Sequence, residues 1–286
     1  MRKMFPYLQL TKPRISLLFA ITGLTAILME GSLLARPFRM GVLILAIFLV
    51  GGAANAFNQY FERDIDKQMK RTASKRPLPQ GVITPRAALI FSVSIGVVGT
   101  VALWIWGGGF AALLGLATIL YYSFYYTLWL KPRTPYNIVI GGAAGAMGPL
   151  IGWAAASGKI GWVPFILFLI VFMWTPPHFW ALALCCKEDY AKVSLPMLPI
   201  VAGEEVTRRQ IVLYSLLLVP LTLSLYFFKV VGPFYLVAAL ILGGAFLVGG
   251  VQLYRKKTVK TYWAFFGFSI AYLLLLFIAL MVDTLL

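Results

Sequence analysis

The run Asn58-Gln59-Tyr60-Phe61-Glu62-Arg63-Asp64-Ile65-Asp66 places two amides and three carboxylates close together in the chain. If a helix passes through it, Asn58, Glu62 and Asp66 stand at i, i+4 and i+8 on one stripe, about 6 Å per step, and Asp64 faces away. Like charges so close are unfavourable without a cation between them. An all-oxygen set with room for phosphate oxygens suits Mg²⁺. Lys67, Lys70, Arg71, Lys75 and Arg76 follow at once. Guanidinium forks grip phosphate through two bonds and ammonium groups add point charge. Carboxylates for a metal followed by cations for phosphate describe a diphosphate cradle. The competing reading is a solvated loop whose acids balance its bases, and spacing alone leaves both open.

Three further segments carry candidate residues. Tyr121 to Lys131 is rich in aromatics, which can stabilise a cation or stack on a flat ligand, or simply form an interfacial belt. Tyr126 and Lys131, at i and i+5 beside a loop, are the pair best spaced to reach one phosphate, and Tyr122 lies one turn before Tyr126. The run Gly141, Gly142, Ala143, Ala144, Gly145, Ala146, Gly148 offers a small-xxx-small face for close helix packing, or room for a bulky ligand. Trp174-Thr175-Pro176-Pro177-His178-Phe179-Trp180 contains the chain's one histidine just after two prolines, which are expected to break or kink the helix. A lone histidine is more often a packed residue than a ligand, but an ionisable group within a span points to function, here heme iron ligation or contact with a diphosphate. Cys185 and Cys186 are adjacent, with no metal or redox spacing.

Apolar blocks position all of these. Hydrophobic residues make up 61% of the 286, charged residues 12%. A soluble domain carries about 25% charged residues, so an integral membrane protein is implied, and the net charge of +16 belongs to its loops rather than to a nucleic-acid surface. Breaks at charges, Pro and Gly give nine spans, near 14–35, 40–61, 86–106, 109–130, 137–157, 162–184, 210–228, 232–253 and 261–282. With the N-terminus in the cytoplasm, 21 of 25 Lys and Arg fall on the inner side, Arg2 and Lys3 among them. The exceptions are Arg36, Arg39, Lys159 and Lys229. Seven of nine acids sit on that same side, which the charge rule does not require and a site there would explain. The two large inner loops also close alike, with Leu78-Pro79, Gly81, Thr84 and Arg86 against Leu198-Pro199, Gly203, Thr207 and Arg208. One domain, 1–286, with a possible 4+4+1 helix pseudo-repeat is therefore expected.

NAFNQYFERDIDKQMKRTASKRPLP (Asn55–Pro79), LKPRTPYNIVIGGAAGAMGPLIGWAA (Leu130–Ala155), TPPHFWALAL (Thr175–Leu184) with LPMLP after it, and Thr11-Lys12-Pro13-Arg14 resemble the protoheme IX farnesyltransferase (heme O synthase) family, of the UbiA-type intramembrane prenyltransferases. The resemblance covers spans 1 to 7; the carboxylate motif marks the wider superfamily and TPPHFWALA the heme branch. It implies an all-α integral membrane bundle of nine helices around a central cavity, in a bacterial cytoplasmic membrane, with its active-site loops on the cytoplasmic side. It further implies Mg²⁺ as cofactor, and farnesyl diphosphate and heme B as substrates. By position, Asn58, Glu62, Asp66 and Lys131 match the family's motifs, with Tyr126 beside them; Arg71, Arg76, Lys67, Lys131 and Arg133 would bind diphosphate, and His178, Trp180 and Tyr122 would line the heme pocket.

Glu62 stands where the pattern has Asp, Pro132 replaces a basic residue, and the run before Arg76 is one residue longer than usual. The second aspartate motif of quinone-type relatives is eroded: His178 falls where its first Asp would be, and Asp189 is the best surviving carboxylate for a second metal position. The implied reaction ionises farnesyl diphosphate, joins the allylic cation to the 2-vinyl group of heme B, and captures the product cation with water. Transient contact with heme A synthase or terminal-oxidase assembly factors is implied downstream. An aromatic acceptor (a quinone or chlorophyll precursor) is the near alternative, and a transporter the distant one.

Overall fold

The structure, a computed structural model, describes residues 5–286; Arg2 and Lys3, counted in the charge asymmetry, lie outside the described residues. Among those residues nine helices are long and apolar enough to cross a bilayer: Pro13–Glu30, Pro37–Phe61, Pro85–Gly107, Gly109–Leu130, Asn137–Ser157, Trp162–Cys185, Gly203–Phe227, Pro233–Lys256 and Val259–Leu285, spans 1 to 9. Each packs on the next, and span 9 packs on span 1, closing the ring. Spans 1 and 5, 2 and 4, and 6 and 9 also touch across turns of the chain. Two main apolar clusters result, one across spans 1–5 and one across spans 5–9 together with span 1.

Helix starts follow local chemistry. Proline opens spans 1, 2, 3 and 8, where its missing N–H costs nothing. Span 1 ends five residues earlier than expected because Gly31 turns into the left-handed region at φ 87°. Span 7 begins seven residues earlier than expected, at Gly203. Its first turns project Glu204, Glu205 and Arg208 into an ionic network. Lys187 donates to Glu204 (2.9 Å), and Arg208 donates to Glu204 (3.1 Å), Glu205 (2.8 Å) and Tyr262 (2.9 Å). Helix there satisfies the backbone while the charges satisfy one another.

The glycines set where the bundle is tight. A Cβ on Gly152 would lie 2.2 Å from the Gly23 carbonyl oxygen, and one on Gly148 2.7 Å from that of Phe19, so spans 1 and 5 cross backbone to backbone. Nearer the basic rim, span 5 turns to other partners. Gly141 takes the Tyr126 ring, Gly142 takes Thr175, and Gly145 has open space where a side chain would stand. Span 5 is itself interrupted there, between Asn137–Gly145 and Gly148–Ser157.

The expected break at the double proline does not occur. Span 6 runs as one helix from Trp162 to Cys185 through buried Pro176 and Pro177. Each proline deprives one carbonyl of its donor, yet a spanning segment has no solvent to replace the remaining backbone bonds, and buried Trp174, Thr175 and Trp180 pack the helix on both sides of the pair. The outlying acids are also explained. Asp283 accepts from the amides of Gly232 (2.5 Å) and Tyr235 (2.9 Å), capping the start of span 8, and Glu30 accepts from the Ser32 amide (3.0 Å).

Candidate active site

Span 2 stops at Phe61; Glu62 is a joint with φ −89° and ψ 4°, and a short helix Arg63–Gln68 follows. The expected stripe survives the joint. The amide of Glu62 donates to Asn58 O (3.0 Å) and that of Asp66 to Glu62 O (2.8 Å), so the three residues keep their i, i+4, i+8 stack. All three are buried, whereas Asp64 is solvent-exposed and pairs with Arg63 and Lys67 at 3.6 Å each.

Three cations close on this stripe. Lys131 donates to Glu62 Oε1 in a very short contact; Arg76 donates to Asp66 Oδ2 in another and lies 3.7 Å from Glu62 Oε2. Lys12 Nζ donates to Asn58 Oδ1 at 2.9 Å. Asn58 in turn donates to Thr127 Oγ1 (3.2 Å), whose hydroxyl donates to Tyr122 O (2.7 Å), so the amide oxygen is aimed inward. Two carboxylates and three cations give the cluster an excess of positive charge, which is a setting for an anion.

Titration follows from these contacts. Burial pushes Glu62 up, but Lys131 and Arg76 overrule it and hold the carboxyl below its ordinary value. Asp66 is raised, by burial first and by the Glu62 carboxylate, against the pull of Arg76. Lys12, just ahead of span 1, is lowered to about 7 by burial and by its fellow cations Arg76 and Lys131.

Span 4 delivers Lys131 in an unusual way. Its first half, Gly109–Leu120, is α-helical; the second, Tyr121–Leu130, is wound as a π-helix that ends with the Lys131 amide on Tyr126 O (2.8 Å). Such segments are rare and gather at functional sites. The wider turn sorts the aromatics into two columns. Tyr125 stacks on Trp129 at 5.2 Å and meets Tyr121 at a tilt at 5.0 Å, with Tyr125 and Trp129 on the exposed side as a belt. Tyr122 and Tyr126 stack at 5.2 Å on the other side, where Tyr126 lies against Gly141.

Not every expected residue joins the cluster. Lys67 is exposed beside Asp64, and Arg133 turns outward over the Trp129 ring (5.5 Å), donating to Trp129 O (2.8 Å). Asp189 accepts from the Arg71 amide at 3.0 Å, so it ties the second loop to the start of the short helix Lys70–Ala73. His178 packs between spans 6 and 9, and Trp180 turns to span 7 with Tyr214 edge-on at 5.3 Å. Lys12 and Thr127 were not singled out from the sequence for this site. Lys12 could have been found, since Thr11-Lys12-Pro13-Arg14 puts a cation at the mouth of span 1; nothing in the sequence marks Thr127. Among the described residues no three or more His, Cys, Asp or Glu side chains are grouped to hold a metal unaided. Asn58, Glu62 and Asp66 fit Mg²⁺ nonetheless, because that ion is commonly held by one or two carboxylates plus substrate phosphates and water.

Residues 16–280 match the UbiA prenyltransferase family. The chain belongs to that family. Proteins named protoheme IX farnesyltransferase are similar along nearly the whole length. That of Symbiobacterium thermophilum is 46% identical over 282 residues, covering 97% of this chain and 93% of its own. That of Gloeobacter violaceus is 47% identical over 279 residues, covering 97% and 91%. Among solved structures, a digeranylgeranylglyceryl phosphate synthase superposes with a TM-score of 0.79 at 21% identity, over 99% of both chains. A UbiA homolog from Archaeoglobus fulgidus bound to DMAPP and Mg²⁺ superposes with a TM-score of 0.69 at 16% identity, over 95% and 98%. These two likenesses concern the fold of this UbiA-family chain.

Proposed function

We propose that this UbiA-family protein transfers a farnesyl group from farnesyl diphosphate to the 2-vinyl group of heme B, in a bacterial cytoplasmic membrane with its basic rim on the cytoplasmic side. The observation that carries the prenyl-transfer half is the buried cluster of Asn58, Glu62 and Asp66 with Lys12, Arg76 and Lys131 at one rim of an apolar bundle. The acceptor is carried by relatives of 45–47% identity named protoheme IX farnesyltransferase. An aromatic acceptor has no comparable support, and a transporter would place its ionisable groups near mid-membrane.

Asn58, Glu62 and Asp66 would hold Mg²⁺. Bound there, Mg²⁺ supplies Lewis-acid neutralisation of the leaving diphosphate. Lys131, Arg76 and Lys12 turn from the carboxylates to the phosphate oxygens and stabilise the charge that grows as the C–O bond breaks. Arg71, on the short helix beside Asp189, is the next cation in line. The inward column Tyr122 and Tyr126 presents ring faces to the allylic cation. The apolar bundle excludes water until the vinyl carbon has bonded to C1 of the farnesyl chain; water then captures the resulting cation and loses a proton, giving a hydroxyethylfarnesyl substituent. The deciding experiment incubates purified protein with heme B, farnesyl diphosphate and Mg²⁺ and weighs the porphyrin. A product heavier than heme B by one farnesyl and one hydroxyl group is expected; unchanged heme B overturns the reading.

A further inference from the structure

His178 is buried between spans 6 and 9 in a stack of three rings. Trp174 covers one face at 4.4 Å and 17°, Phe266 stacks at 4.5 Å and 20°, and Phe179 meets it edge-on at 4.9 Å. A ring held in this way has no room to turn. Its Nδ1 lies 2.6 Å from Ser269 Oγ, and that hydroxyl lies 2.6 Å from Phe266 O. A hydroxyl has one hydrogen and a carbonyl can only accept. The Ser269 proton therefore goes to Phe266 O, and Nδ1–H must donate to Ser269 Oγ. In the neutral ring the tautomer follows: Nδ1 carries the proton and Nε2 carries a lone pair. Nε2 makes no hydrogen bond to any described residue, and it is not among the sealed, unpartnered polar atoms, as the Trp180 indole nitrogen is.

A neutral imidazole with one nitrogen anchored as donor and the other bare is the arrangement of a metal-ligating histidine, whose outer partner sets tautomer and direction. We propose that Ser269 is a positioning residue that locks His178 so that Nε2 coordinates the iron of the heme acceptor. The inference rests on the heme reading above and adds how that substrate is held. Coordination donates the lone pair and moves no proton.

The test is equilibrium binding of ferric heme B to purified protein without prenyl diphosphate, followed in the Soret band and by low-temperature electron paramagnetic resonance. Wild type is expected to give a histidine-ligated spectrum. His178→Ala should lose that signature and weaken binding at least about tenfold, with added imidazole restoring the spectrum. Ser269→Ala, which removes one oxygen, should weaken binding by about 10- to 100-fold and alter the ligand field, and Ser269→Thr should recover both. A wild-type spectrum in His178→Ala, or in Ser269→Ala, overturns the assignment. Farnesyl transfer is scored separately. Wild type that shows histidine-bound heme yet forms no prenylated product sinks the activity while leaving the ligand in place.

Discussion

Replacing Lys131 with Met separates a catalytic cation from a structural one, because the two roles move metal binding and turnover in opposite directions. Lys131 neutralises Glu62, and Arg76 stands 3.7 Å from the other carboxylate oxygen. A metal ion entering this stripe must displace the lysine. Breaking a buried pair costs about 3–5 kcal/mol; with Arg76 still at hand, roughly half of that, about 1.5–2.5 kcal/mol, falls to Lys131. Lys131→Met should therefore bind divalent metal alone about 10- to 70-fold more tightly than wild type. Turnover should fall by about 10²- to 10³-fold, the usual loss when one donor to a developing oxyanion is removed. Mn²⁺ is a suitable probe, since its free ion is counted directly by electron paramagnetic resonance, and turnover is read from the porphyrin mass. Equal or weaker Mn²⁺ binding by the variant, or turnover within fivefold of wild type, would refute the reasoning.

Asp66→Asn keeps the shape and leaves the Thr72 hydroxyl on Asp66 O (2.8 Å) undisturbed. Its turnover should drop more than about 10³-fold while the membrane fraction holds normal amounts of protein; retained activity removes Asp66 from the metal site. Lys12, lowered to about 7, is mostly neutral at pH 8, and an arriving diphosphate favours its charged form. Binding of farnesyl thiodiphosphate at pH 8 should therefore take up close to one proton, uptake should fade by pH 6 where Lys12 is already charged, and Lys12→Met should abolish it. Calorimetry in two buffers of different ionisation heat measures this, and no uptake by wild type contradicts the placement of Lys12. Gly141→Ala would put a carbon 2.3 Å from the Tyr126 ring. It should cost about 1–3 kcal/mol of stability and depress turnover, and adding Tyr126→Ala should recover the stability but not the turnover; a Gly141→Ala enzyme as stable and active as wild type dissociates that contact from the site.

Much of this molecule is legible in residue order because the bilayer permits few answers. Nine apolar blocks became nine helices, and the Asn58, Glu62, Asp66 stripe formed as the spacing requires. What the sequence hid are choices between near-equal local states. The helix stops at Phe61 and resumes at Arg63 without losing the stack, which periodicity cannot reveal. The π winding of Tyr121–Leu130 decides which tyrosines face Gly141 and which face outward, and no composition rule encodes it. The double proline does not interrupt span 6, because the rule for exposed helices counts a lost hydrogen bond against water, and span 6 has no water to turn to. Asp189, taken from the eroded second motif, accepts from the Arg71 amide, and Lys67, taken as a phosphate cation, lies beside Asp64.

The ion pairs also impose an order of manufacture. Lys131 follows Glu62 by 69 residues. At a synthesis rate of about 5–20 residues per second, roughly 3–14 seconds pass between the two leaving the ribosome. Arg76, ten residues after Asp66, arrives almost at once. The nascent acids thus have an early chaperone in Arg76, while the pocket gains its last counter-ion only when span 4 is threaded.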